Sequence, residues 1–118
     1  MNPEYPPKAT LIPGRFQPLH RGHIALARKL LAEGRKVVFG VFETSSSRRN
    51  PYSMATRFDM IRAVFHGEMM DCRVNIVVLP WVEDIAYGRD CGWTPREVRL
   101  DVATEQITAT QLREEMMA

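Results

Sequence analysis

Three short, predominantly apolar runs punctuate the chain, at residues 9–12, 37–42 and 74–79. Their length and lack of strict alternation suit strands covered on both faces, as in parallel sheets. Pro13 and Gly14 end the first and Pro80 ends the third. Between them the period becomes helical. Ile24, Ala27, Leu30 and Leu31 recur on one side of residues 24–31, with Gly34 as the closing C-cap. Met54, Phe58, Ile61, Ala63 and Phe65 fall near one face of residues 53–65. Residues 43–52, with Ser45-Ser46-Ser47, Arg48-Arg49 and Asn50-Pro51, read as a polar surface loop.

Further on, residues 85–87 and 97–100 suggest two shorter strands, and residues 108–117 a terminal helix opened by a Thr108 cap. Alternation of strand and helix predicts the α/β class: an open, doubly wound, Rossmann-like parallel sheet of about five strands with helices on both faces. The ligand site of such a sheet lies at the carboxyl ends of its strands. Pro3, Pro6 and Pro7 make residues 1–7 an expected extended tail. Residues 8–118 are expected to form one domain, because 118 residues suffice for a single core.

Composition narrows the classes. A hydrophobic share of 45% and a charged share of 25% are those of a folded globule, not a disordered chain. A net charge of +2 supplies no basic stripe, so no nucleic-acid partner is expected. Thirteen of the sixteen cations are arginine, whose planar fork grips phosphate in two places, although codon bias explains the excess equally well. Cys72 and Cys91 are too few for a disulfide framework or a zinc ribbon, which leaves reduced thiols and a cytoplasmic setting as the expectation. No basic opening leads into an apolar stretch and no eighteen apolar residues run together, so neither secretion nor a membrane partner is expected.

The segment richest in chemistry is Gly14-Arg15-Phe16-Gln17-Pro18-Leu19-His20-Arg21-Gly22-His23, between the first strand and the first helix. Gly14 and Gly22 let backbone approach a ligand, His20 and His23 set imidazoles three positions apart, and the following helix offers free N–H groups and a positive dipole end. Together these describe an anion site, the alternative being a chance cluster in a loop. Two imidazoles alone fall short of a zinc site, so no protein-held metal is expected.

This segment resembles the first motif of the nucleotidyltransferases with the HxGH signature, in the G-R-F-Q-P-x-H-x-G-H form typical of archaeal-type nicotinamide mononucleotide adenylyltransferases; Gln17 favours that adenylyl branch. Asn50-Pro51-Tyr52-Ser53 with Arg57 resembles a second stretch of the same branch, and Ile107-Thr108-Ala109-Thr110-Gln111-Leu112-Arg113 resembles its closing I-S-x-T-x-x-R motif. Gly88-Arg89-Asp90 is similar to a Gly-x-Asp stretch that meets base and ribose. The resemblance implies that His20, His23 and Arg113 are catalytic. It also implies nucleotide binding by Gly14, Arg15, Phe16, Gly22, Gly88, Asp90, Thr108 and Thr110. It departs from archaeal-type enzymes between the third strand and the closing motif, where only residues 81–106 fill a longer acceptor region.

The implied reaction moves a nucleoside monophosphate, AMP from ATP on this resemblance, onto a phosphorylated small-molecule acceptor and releases pyrophosphate. Nicotinamide mononucleotide is one acceptor it suggests. Positioning and electrostatics carry such a transfer, so neither a protein nucleophile nor a general base is required. Mg²⁺ is expected with the triphosphate. A cytidylyltransferase acting on an alcohol phosphate and a nucleotide-binding module without turnover are the alternatives, and a homo-oligomer is compatible with either. Lys8 could approach the acceptor or lie in water, as could Arg48 and Arg49. Trp81 and Trp93 could stack on a ring or cover the core.

Overall fold

The computed structural model describes residues 8–89 and 94–100. Within them the chain forms β1 (Ala9–Gly14), α1 (Arg21–Ala32), β2 (Lys36–Phe42), α2 (Met54–Met70) and β3 (Val74–Leu79). The three strands are parallel in the order β1-β2-β3, with Ile12 beside Phe39 and Phe39 beside Ile76. The α/β class and the open parallel sheet are therefore present. Three of the roughly five predicted strands form among the described residues, and the predicted tail and terminal helix lie outside them.

Register decides where the core sits. Ile12, Val37, Phe39, Val41, Val74 and Ile76 share one sheet face, and the core joins them to Ala27, Leu30 and Leu31 of α1 and to Ile61 and Phe65 of α2. Both described helices thus cover the same face, as two successive right-handed crossovers moving in one direction require. The expected coverage of both faces rests on residues outside the described ones. On the rear face Leu11 and Val77 are exposed, and Gly40 lies under the methyls of Leu11 and Leu79, where a Cβ would come within 3.0 and 2.5 Å of them.

Local sequence accounts for the element ends. Gly34 takes a φ of +82°, the left-handed turn that follows a helix end, and the C-cap itself is Glu33. Ser53 caps α2 by accepting from the Thr56 N–H at 3.1 Å. This helix runs past the predicted end to Met70, with non-helical backbone at Phe65, so Phe65 is the site of a kink. Its buried stripe is Arg57, Ile61 and Phe65. Ala63 is exposed, contrary to expectation, because a residue two positions from Ile61 and from Phe65 is turned away from a stripe spaced by four. Arg28 of α1 bridges the helix pair, stacking over Phe65 at 4.7 Å and pairing with Glu68.

The strands expected at 85–87 and 97–100 are not formed. Neither segment finds a ladder partner among the described residues, and Ile85 and Tyr87 stay exposed. Residues 94–100 instead lie along the far end of α1: Arg96 pairs with Glu33 at 2.5 Å, Lys29 donates to the Arg99 carbonyl at 3.0 Å, and Val98 rests on the core. Among the described residues no helix is long and apolar enough to cross a membrane.

Candidate active site

The motif loop leaves the carboxyl end of β1 and feeds the N-terminus of α1, so its position follows from the β1-α1 turn. Phe16 adopts a φ of 53°, uncommon for a bulky residue, and its ring is buried. It lies against Gly14, where a Cβ would come within 3.3 Å of the ring, and it meets His23 edge-on at 4.7 Å and Phe39 at 5.4 Å. The stack continues in both directions, from His23 to His20 at 3.8 Å and from Phe39 to Phe65 at 5.4 Å. Phe16 thus forms the wall between the motif loop and the core.

His20 and His23 form the N-terminal cap of α1. The Nδ1 of His20, the N-cap residue, accepts the Gly22 N–H at 3.0 Å, and the Nδ1 of His23 accepts the His20 N–H at 3.2 Å. This is a reciprocal capping box written with imidazoles. An Nδ1 that accepts has no proton, so each neutral ring carries its proton on Nε2 as an unspent donor. Burial holds His20 below its usual pKa; burial, then the neighbouring His20, depresses His23 from 6.5 to about 3. Both rings are uncharged at neutral pH. Two Nε2 donors and a positive helix end with no acidic residue in its first turn are groups able to receive an anion.

A second loop, residues 43–52, is pinned to this one. Gln17, 1% exposed, donates through Nε2 to the Tyr52 carbonyl at 2.9 Å and to Thr44 Oγ1 at 3.3 Å, and its Oε1 accepts the Tyr52 N–H at 2.9 Å. Arg15 donates to Asn50 Oδ1 at 3.1 Å. Arg57, 2% exposed, donates through Nη1 to the carbonyls of Arg15 at 2.7 Å and Phe42 at 2.8 Å, and through Nε to the Ser53 carbonyl at 3.3 Å. No carboxylate pairs with it among the described residues, and burial lowers its pKa. Its three carbonyl partners compensate for water. An open cleft of about 520 Å³ lies alongside, lined by Glu43, Thr44, Ser45, Met54, Arg57 and Val78.

The structure therefore brings together Gly14, Arg15, Phe16, His20, Gly22 and His23 at one sheet end. Gly88 stands apart from regular structure, exposed, with nothing within 4 Å of where a Cβ would be. Asp90, Thr108, Thr110, Arg113 and Trp93 lie outside the described residues. Lys8 is exposed at the opposite end of β1, ~20 Å from the motif at the ordinary strand rise, and does not reach the site. Arg48 and Arg49 are exposed, and Trp81, 66% exposed, meets Phe42 edge-on at 5.5 Å. The linking roles of Gln17 and Arg57 were not read from the sequence; the signals were a polar amide flanked by Phe16 and Pro18, and an arginine four positions before Ile61 in an apolar stripe.

Residues 11–106 match the model of the cytidylyltransferase-like family. The chain belongs to that family. Among its curated relatives, the nicotinamide-nucleotide adenylyltransferase of Thermococcus kodakarensis is 33% identical over 76 residues, 62% of this chain and 40% of that protein. Its counterpart in Pyrobaculum aerophilum is 35% identical over 80 residues, 65% of this chain and 45% of that protein. The same-named protein of Ignicoccus hospitalis is 36% identical over 73 residues, 59% and 43% of the two chains. The matches to these three thus span less than half the length of the relatives.

Proposed function

We propose that this chain is an adenylyltransferase that moves AMP from ATP onto a phosphorylated acceptor, with nicotinamide mononucleotide as the acceptor to test first. The observation that carries the reading is the imidazole capping box: both Nδ1 atoms are committed to backbone N–H groups, so both Nε2–H groups are preset to donate. In the transfer an acceptor phosphate oxygen bonds to the α-phosphorus as the bond to the bridging oxygen of pyrophosphate breaks. Charge grows on the oxygens around the α-phosphorus and on the leaving group. Fixed donors aimed at that charge stabilise it without reorganising. His20 and His23 supply them, the α1 N-terminus adds its N–H groups, and Arg113 neutralises the leaving phosphates. The names of the relatives favour adenine over cytosine as the donor base.

The cleft beside Thr44 and Ser45 is the acceptor side of this reading, because it opens at the carboxyl ends of β2 and β3, next to the motif loop. No group of three metal-ligating side chains occurs among the described residues. Mg²⁺ in this reading is carried by the triphosphate and water. When bound, the ion would neutralise phosphate charge alongside Arg113.

The test is pyrophosphate release from each nucleoside triphosphate with Mg²⁺ and either nicotinamide mononucleotide or an alcohol phosphate. Release with ATP and nicotinamide mononucleotide, lowered ~10²–10³-fold in turnover by His23→Ala, is the expected result. Release only with CTP and an alcohol phosphate would replace the reading with cytidylyl transfer. Triphosphate binding without release from any pair would replace it with a non-catalytic module.

A further inference from the structure

We infer that Gln17 is a positioning residue that couples the two sides of the site: it holds the acceptor-side loop, residues 43–52, in the shape the acceptor needs. The inference rests on the adenylyltransferase reading and assigns a task that neither histidine can perform. Gln17 sits inside the histidine motif, yet its side chain reaches across to the other loop. Its amide spends itself on the backbone N–H and carbonyl of Tyr52 and on the hydroxyl of Thr44. Binding both backbone groups of one residue imitates a strand neighbour, so the loop is read by its main chain and held at one register.

The coupling has direction. Motif-loop anchorage comes from elsewhere: the Phe16 ring is seated in the core, and the histidine cap fixes the start of α1. The acceptor-side loop is tied to β3 at its start, where the Glu43 N–H donates to the Leu79 carbonyl at 2.8 Å. Ser45 to Arg49 are exposed, and Ser47 and Asn50 hydrogen-bond to each other within the loop. Among the described residues its ties to the motif side include the Gln17 bonds and the Arg15 to Asn50 bond, while Arg57 grips the flanking Phe42 and Ser53. Thr44, one of the Gln17 partners, also lines the cleft beside Glu43 and Ser45. Cutting the Gln17 bonds loosens that wall at Thr44 and the loop at Tyr52, and leaves the histidine cap of α1 in place. An acceptor must then order the loop as it binds, which weakens its binding, while the triphosphate pays no such cost.

The experiment compares the wild-type chain with Gln17→Met, which keeps the length and apolar bulk but neither donates nor accepts at Tyr52. Tyr52 is only half-buried, so water can satisfy its freed backbone groups and the fold is expected to survive. Amide exchange should quicken ~10-fold or more across residues 43–53 and stay unchanged in α1 and β2. In pyrophosphate release with ATP and nicotinamide mononucleotide, the acceptor KM should rise ~10-fold and the ATP KM by less than ~3-fold. Should Gln17→Met fail to fold, Thr44→Val removes one bond of the same set without entering the core, and the same split is expected at smaller amplitude. Unchanged exchange in the loop, or equal rises in both KM values, overturns the inference. Absence of turnover in the wild type overturns the adenylyltransferase reading alone, because the exchange comparison decides the coupling without any substrate.

Discussion

The proton inventory of His23 leads to a stability prediction with a defined window. The ring accepts a backbone N–H and is held neutral, with its pKa lowered from 6.5 to about 3. A folded-state pKa below the unfolded value means that the unfolded chain binds the proton first as pH falls. The stability this group contributes is complete above pH 6.5 and is lost progressively from there down towards pH 3. At pH 5 the loss has a ceiling of ~2 kcal/mol, 1.5 units at 1.36 kcal/mol each, and solvent reaching the partly exposed ring trims it to roughly 1 kcal/mol. Glu33 and Glu68, whose pKa values lie below 4.5 because Arg96 and Arg28 hydrogen-bond to them, lose their contribution only below about pH 4.5. The interval from pH 7 to pH 5 therefore isolates the imidazoles. His23→Gln removes the titration and keeps the cap, because a glutamine at the third helical position can accept the same N-cap N–H. Urea unfolding at pH 7, 6 and 5 should show wild type losing roughly 1 kcal/mol more than the variant, against a common loss from His20, which shifts in the same direction. Parallel curves for the two proteins across that interval would refute both the depressed pKa and the Nδ1 acceptor role.

Two further predictions concern the frame. Arg57→Met should destabilise the chain by ~2–4 kcal/mol, since it strands the part-buried carbonyls of Arg15 and Phe42; Arg57→Lys should recover only part, as a point charge cannot reproduce the fork. A loss under ~0.5 kcal/mol in urea would contradict the bridging role. Gly40→Ala should cost only ~1 kcal/mol, because the atoms in its way are methyls of Leu11 and Leu79, and Leu11 is 43% exposed and free to turn. A loss beyond ~3 kcal/mol by thermal unfolding would show that the rear face is packed rigidly.

Much of this frame was legible in the sequence, since the three strands and two helices announced themselves by changes of period. What escaped was whatever depended on a partner distant in sequence. Arg57 shares the stripe of Ile61 and Phe65, where hydropathy alone predicts an apolar residue. The carbonyls of Arg15 and Phe42, 42 and 15 positions away, are what draw a guanidinium there. Gln17 was legible as a motif letter but not as a bond to Tyr52, 35 positions on. The runs at 85–87 and 97–100 carry strand-like residues, yet a strand also needs a neighbour to pair with, and composition cannot supply one. His20 and His23 were found because their relation is local: three positions apart at a helix start is a geometric statement in itself.

The run of rings from His20 through His23, Phe16 and Phe39 to Phe65 has an evolutionary consequence. A binding loop ordinarily drifts in sequence independently of the interior, because water lies between them. Here the loop and the interior share one packed column, with Arg28 seated on its far end. A change of volume at position 39 or 65 is felt at position 16 and then at the imidazoles, so a substitution at one of these positions calls for a compensating change at its neighbour. The polar loop after β2, exposed from Ser45 to Arg49, can accept new side chains without disturbing the column.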